Sequence, residues 1–177
     1  IVPTSGVPAN GGGGIVQLTY GNTSSQIDIS TTGSWQTVYT SINSITPRFN
    51  TSKILIDMRT GWYQSNTNGE DYFDLRFIRT VGGTQTSITE YVPGYNGWYD
   101  TNTTLSPMSN NHFQFLDSPA TTNTISYGFE VYLRSINAPN IRFTYDDGGG
   151  DQITTMTLME VSACLLYTSD AADDYRS

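Results

Sequence analysis

From residue 15 onward, apolar and polar positions alternate with a period of two. IVQLTY (15–20) opens the pattern, and WQTVYT (35–40) and SINSIT (41–46) follow, stopped by Pro47. In KILIDMRTGWY (53–63), Ile54, Ile56 and Met58 share one face. YFDLRFI (72–78) sets Phe73, Leu75 and Phe77 against Asp74 and Arg76. TQTSITEY (84–91) is a weaker example, and HFQFLD (112–117) alternates Phe113 and Phe115 with His112 and Gln114. TISYGFEVYLRSI (124–136) is the cleanest, with Ile125, Tyr127, Phe129, Val131 and Leu133 on one side; NIRFTY (140–145) and ITTMTLMEV (153–161) complete the set. Such alternation marks strands with one face on a core. No stretch repeats apolar residues at helical spacing. About nine or ten short strands, separated by Gly, Asn, Ser and Pro clusters, predict an all-β chain folded as an antiparallel sandwich or barrel. VGGT (81–84) is read as a hairpin turn. The last segment is apolar on both faces, Met156 and Leu158 against Met159 and Val161. That predicts either a central strand or one covered by a neighbouring subunit.

The alternation does not reach the ends of the chain. Residues 1–14, IVPTSGVPANGGGG, hold two prolines and five glycines and read as a flexible linker. Ile1 is not an initiator Met, so the chain is expected to be a piece of a longer protein with something upstream. At the other end, alternation stops after Ser162. CLLYTSDAAD (164–173) back-translates to the transposase adapter of short-read sequencing libraries. Residues 164–177 are therefore expected to be adapter read-through in an environmental assembly, and Cys164, Asp170, Asp173 and Asp174 are kept out of every site argument. That leaves residues 15–163 as the domain.

Composition narrows the function classes. Hydrophobic residues make up 36% of the 177, charged residues 14% and aromatics 12%, which suits a packed fold with an uncharged polar surface. The net charge is −8, with 8 Lys+Arg and no basic run, so the electrostatic footprint of a nucleic-acid binder is missing. No apolar stretch approaches a membrane span in length. The single cysteine excludes an internal disulfide framework and a Cys-based zinc site.

One stretch breaks the pattern. YVPGYNGWYD (91–100) carries Tyr91, Tyr95, Trp98 and Tyr99 among Pro93, Gly94 and Gly97, and Pro and Gly punctuation reads as a loop. An aromatic loop either lids a core or faces outward to hold something. Sugars present C–H faces to aromatic rings, and amides and carboxylates bond their hydroxyls. Tyr95, Trp98, Tyr99, Asp100 and Asn102 form the candidate ligand-binding set on that reading, with Trp35, Trp62 and Tyr63 as further stacking surfaces. The lid reading stays open, because aromatics bury large areas and usually pack.

Three segments together resemble a domain found at the C-termini of virion structural and tail-fibre proteins of marine bacteriophages. They are SITPRFNTSKILIDM (44–58), FLDSPATTNTISYGFEVY (115–132) and TTMTLMEVSA (154–163), in that order. The resemblance implies a jelly-roll-like sandwich similar to the C1q and tumour-necrosis-factor class. It implies a homotrimer attached to an upstream virion or fibre segment. It supplies no catalytic residues and does not extend to residues 91–100.

Other chemistry is weakly signalled. Asp146, Asp147 and Asp151 in DDGGGD (146–151) could ligate Ca²⁺ through flexible carboxylates. The spacing does not match an EF-hand loop, and a solvated turn explains the same residues. His112, with Ser109 and Asp117 near it in sequence, lacks a nucleophile-elbow pattern and reads as an outward strand histidine. Glu130 alternates with an inward set and should face out. Glu160 lies on a strand apolar on both faces and should find an Arg or a backbone donor. The glycine runs lack the Lys and helix of a phosphate loop. The expectation is a non-enzymatic module of a phage tail-fibre-type appendage, in the virion, contributing to adhesion on host-surface glycans. The alternative is a carbohydrate-binding module of a larger bacterial extracellular protein.

Overall fold

A computed structural model describes residues 14–64, 69–89, 91–100, 108–135, 140–145 and 152–162; at 69–71, 91–100, 108 and 135 it describes the backbone alone. The strands are β1 (Ile15–Thr23), β2 (Ile27–Ile29), β3 (Trp35–Ile45), β4 (Lys53–Gln64), β5 (Gly69–Val81), β6 (Thr84–Ser87), β7 (Tyr91–Asp100), β8 (Met108–Asp117), β9 (Ile125–Ser135), β10 (Ile141–Phe143) and β11 (Thr154–Val161). Two antiparallel sheets pack as a sandwich, and no helix occurs among the described residues.

The first sheet runs β1-β11-β4-β8, with β10 and β2 extending β11 and β1 past an interruption. The second runs β3-β9-β5, with β6 and β7 sharing the free edge of β5. Successive strands cross between the sheets from β3 to β4 to β5, and again from β7 to β8 to β9 to β10. That alternation is the connectivity of a jelly roll, the fold the sequence resemblance implies.

The inward phase of each strand supplies the core. Ile54, Ile56 and Met58 of β4 and Met156 and Leu158 of β11 face Phe73, Leu75 and Phe77 of β5 and Tyr127, Phe129, Val131 and Leu133 of β9; all are fully buried. Phe129 and Phe73 each meet Phe143 edge-on, at 5.6 and 5.4 Å between ring centroids, the geometry aromatic quadrupoles favour. Trp62, read from the sequence as a stacking surface, belongs to this core: it is 3% exposed and meets Phe73 edge-on at 5.7 Å.

Three local features differ from the sequence reading. The segments at 35–40 and 41–46 are one strand, β3, with a bulge: β9 advances two residues, from Phe129 to Tyr127, while β3 advances four, from Tyr39 to Asn43. Gly128 lies opposite this bulge, and a Cβ there would collide with the Tyr39 carbonyl oxygen. A short strand at Ile27–Ile29 was hidden by its length. The third difference is residues 91–100, which form strand β7 and not a loop. The Gly82–Gly83 turn forms as expected, with φ of 56° and 82°, both left-handed.

The ends of the sandwich are tied by polar groups. At one end Glu160, fully buried, accepts hydrogen bonds from Gln17 Nε2 at 2.6 Å and from the Arg48 and Phe49 backbone N–H groups at 2.8 and 3.3 Å. This is the backbone-donor role the sequence predicts for it. Toward the other end, the hydroxyls of Tyr39, Thr144, Thr154 and Thr60 form a buried chain across the interruption between β10 and β11.

Candidate functional site

The outward phase of the second sheet carries a concentration of aromatic and ionic side chains. In antiparallel pairs, directly opposed residues share a face. The register aligns Trp35, Tyr132 and Asp74 in one row across β3, β9 and β5, and Thr37, Glu130 and Arg76 in the next. Trp35 and Tyr132 are half-buried, with ring centroids 5.7 Å apart and planes tilted by 57°. The Arg76 guanidinium carbon lies 4.1 Å from the Trp35 ring centroid, a cation–π contact.

Arg76, Glu130, Asp74 and Arg134 on this face are paired with one another. Arg76 donates through Nε and Nη2 to Glu130 Oε2, each at 2.7 Å. Glu130 Oε1 accepts from Thr37 Oγ1 at 3.1 Å and Gln85 Nε2 at 2.9 Å. Glu130 thus belongs to the outward phase, as expected, but its neighbours leave it only 7% exposed. Arg134 Nη2 meets Asp74 Oδ2 at 2.7 Å. The hydrogen bond and the charge of Asp74 hold the pKa of the exposed Arg134 above the ordinary arginine value. The result is a fixed array of donors and acceptors around two partly exposed rings.

Strand β7 borders this array. Gly69, Glu70, Asp71, Tyr72 and Phe73 of β5 pair with Asp100, Tyr99, Trp98, Gly97 and Asn96. The next pair is Leu75 with Tyr91, so residues 92–95 stand opposite Asp74 alone. Pro93 and Gly94, the residues that read as loop punctuation, fall in that irregularity on an edge strand, where a missing N–H and an extra residue are tolerated. Trp98, Tyr99 and Asp100 therefore lie on the same sheet as Trp35 and Tyr132, at known backbone register, and Tyr95 falls in the irregularity of the same strand. Asn102 lies outside the described residues.

The acidic loop has a defined base. The Gln152 N–H donates to the Tyr145 carbonyl at 3.1 Å, closing the excursion between β10 and β11. Asp146, Asp147 and Asp151 lie outside the described residues, and among the described residues no cluster of His, Cys, Asp or Glu could hold a metal. Beside that base Tyr63 stacks on Tyr145, centroids 4.1 Å apart and planes within 9°, with the Arg142 guanidinium 5.9 and 5.8 Å from the two rings.

The remaining polar candidates have structural partners. His112 is exposed on β8 and its Nε2 lies 3.0 Å from Asp57 Oδ1. Ser109 donates to Asn111 at 3.1 Å, and Asp117 bonds Arg79 and Tyr127. The three do not form a triad. Sequence reading named Trp35 and put Asp74 and Arg76 on the outward phase of β5. It missed Tyr132 and Arg134, which the outward phase of β9 could have supplied.

No family model matches the chain, and no curated protein matches it. Among solved structures, a chain from the structure of infectious bursal disease virus, Gx strain, aligns over 90% of this chain and 44% of its own length, at 10% identity and a TM-score of 0.35. This chain thus spans less than half of that one, and a likeness so loose carries no argument about function.

Proposed function

We propose that the domain is a non-enzymatic structural module of a virion appendage of the tail-fibre kind, whose second sheet contributes to adhesion on host-surface glycans. The sequence resemblance supports the virion reading. Its three segments fall on β4, the β8–β9 connection with β9, and β11, which are interior strands of both sheets. The adhesion reading rests on one observation: the row Trp35–Tyr132–Asp74 leads across the sheet into the aromatic strand β7. Partly exposed rings offer stacking surfaces to sugar C–H faces. The paired Arg and carboxylate groups beside them are already held in place, so little order is lost when they bond hydroxyls.

The test is a glycan array probed with wild-type protein and with Trp35→Ala and Tyr132→Ala. Wild type should bind a subset of glycans, and both variants should lose that binding while still melting cooperatively. A folded wild type that binds no glycan would sink the adhesion reading. The virion assignment is tested separately by the neighbouring genes. Tail and baseplate genes support it, whereas a glycosidase upstream in the same reading frame favours a carbohydrate-binding module.

A further inference from the structure

Both guanidinium groups beside Trp35 and Tyr132 are already held by carboxylates. Arg76 directs Nε and Nη2 to Glu130 Oε2 and lays its face on the Trp35 ring. The other oxygen of Glu130 is taken by Thr37 and Gln85. The second pair depends on a local irregularity. From Leu133 to Ser135 β9 advances two residues, while β5 moves by one, from Phe73 to Tyr72, so Arg134 stands in a bulge. Bulges re-aim side chains. Here the guanidinium reaches Asp74, the residue opposite Tyr132, with Nη2 2.7 Å from Oδ2. Glu130 and Asp74 are each only 7% exposed.

These charges decide what kind of sugar the face can take. The two cations and two carboxylates cancel. Glu70, in phase with Asp74 at the border with β7, adds a negative charge, and the chain as a whole carries −8. An acidic sugar needs a guanidinium. To supply one, Arg76 must release Glu130, or Arg134 must release Asp74, and either release strands a carboxylate that has lost most of its water. The negative field also repels such a ligand on approach. An uncharged sugar meets neither obstacle. Its C–H faces need only the rings, and its hydroxyls can bond the exposed Gln85 amide and the half-exposed Arg134 without breaking a pair. Taking this face as the adhesion surface, an assignment on which the step rests, we infer that it is specific for uncharged sugars, and that Asp74 and Glu130 exclude acidic ones by occupying both guanidinium groups.

The test is an array carrying neutral hexose and N-acetylhexosamine oligosaccharides beside uronate-, sialate- and sulfate-bearing ones, read with the full chain. Every glycan bound by wild type should be neutral. Raising salt from about 0.05 to about 0.5 M should change the dissociation constant of the best of them by less than about twofold, since no ion pair forms with the ligand. Asp74→Asn keeps the shape and an acceptor for Arg134 but removes the charge. It should add acidic glycans to the bound set, with affinity for uronates rising about tenfold, as a released guanidinium gains a charge-assisted bond. If that variant melts early, the wild-type selectivity and salt dependence decide the matter. Wild-type preference for acidic glycans, steep weakening with salt, or a folded Asp74→Asn that gains nothing overturns the inference and leaves the adhesion reading standing. A wild type that binds no glycan removes both.

Discussion

Arg79 of the second sheet and Asp117 of the first join the two layers at one end of the sandwich. Arg79 Nη1 donates to both Asp117 oxygens at 2.9 Å, and Tyr127 Oη donates to Oδ2 at 2.7 Å. Burial, first, and then the charge of Asp117 push the Tyr127 phenol far above its ordinary value, so it remains a donor at any working pH. Asp117→Leu should destabilise the domain by about 3 kcal/mol, toward the low side for a broken buried pair, because Arg79 keeps 21% of its side-chain surface exposed. Adding Arg79→Met should recover part of that loss, since it removes the stranded charge. Urea denaturation of the three proteins measures the coupling, and strictly additive losses would refute it.

Glu160 makes stability depend on acid in a stated direction. Burial alone raises its pKa, but the hydrogen bonds from Gln17 and the two backbone N–H groups outweigh it and hold the carboxyl below its ordinary 4.5. A depressed folded-state pKa contributes stability that is present above the unfolded value and lost as pH falls through the folded one. Glu160→Gln should therefore cost about 1–3 kcal/mol at pH 7, the range for stranding buried donors. The gap between variant and wild type should narrow below about pH 4.5 as the wild-type carboxyl protonates. A gap independent of pH would show that the charge contributes nothing.

Gly128 should be the least replaceable residue of β9. A Cβ there meets the Tyr39 carbonyl oxygen where β3 bulges, and the strand cannot retreat without disturbing its ladder. Gly128→Ala is expected to cost about 1–3 kcal/mol, as overfilling a packed site does. Chemical denaturation checks it, and a neutral or stabilised variant would show the bulge to be soft.

These cases show what a single sequence makes legible. Period-two alternation located the core strands, because one buried face imposes it on every strand regardless of partners. It located neither β2, three residues long, nor β7, where Pro93 and Gly94 masked a strand that the edge of β5 recruits through long-range pairing. The candidate site suffered in the same way. Asp74 and Arg76 were visibly outward, but only the register of β3, β9 and β5 brings Trp35, Tyr132 and Asp74 into one row.

The strand nature of residues 91–100 sharpens what each aromatic should do. Trp98 pairs with Asp71 and Asn96 with Phe73, a core residue, so Trp98 holds a register position in phase with the core-facing side of β5. Tyr99 pairs with Glu70, in phase with Asp74 and Arg76 and hence with the face that carries Trp35 and Tyr132. The two substitutions should therefore separate. Trp98→Ala is expected to cost about 3–5 kcal/mol, the range for emptying a buried large aromatic site. Tyr99→Ala should leave stability within about 0.5 kcal/mol of wild type, as surface changes do, yet weaken glycan-array binding together with Trp35→Ala and Tyr132→Ala. Thermal melting and the array, run on the same two proteins, decide the assignment. If Tyr99→Ala unfolds the domain while Trp98→Ala is silent, β7 presents its faces the other way round. If both variants lose stability and neither changes binding, the strand serves only the fold.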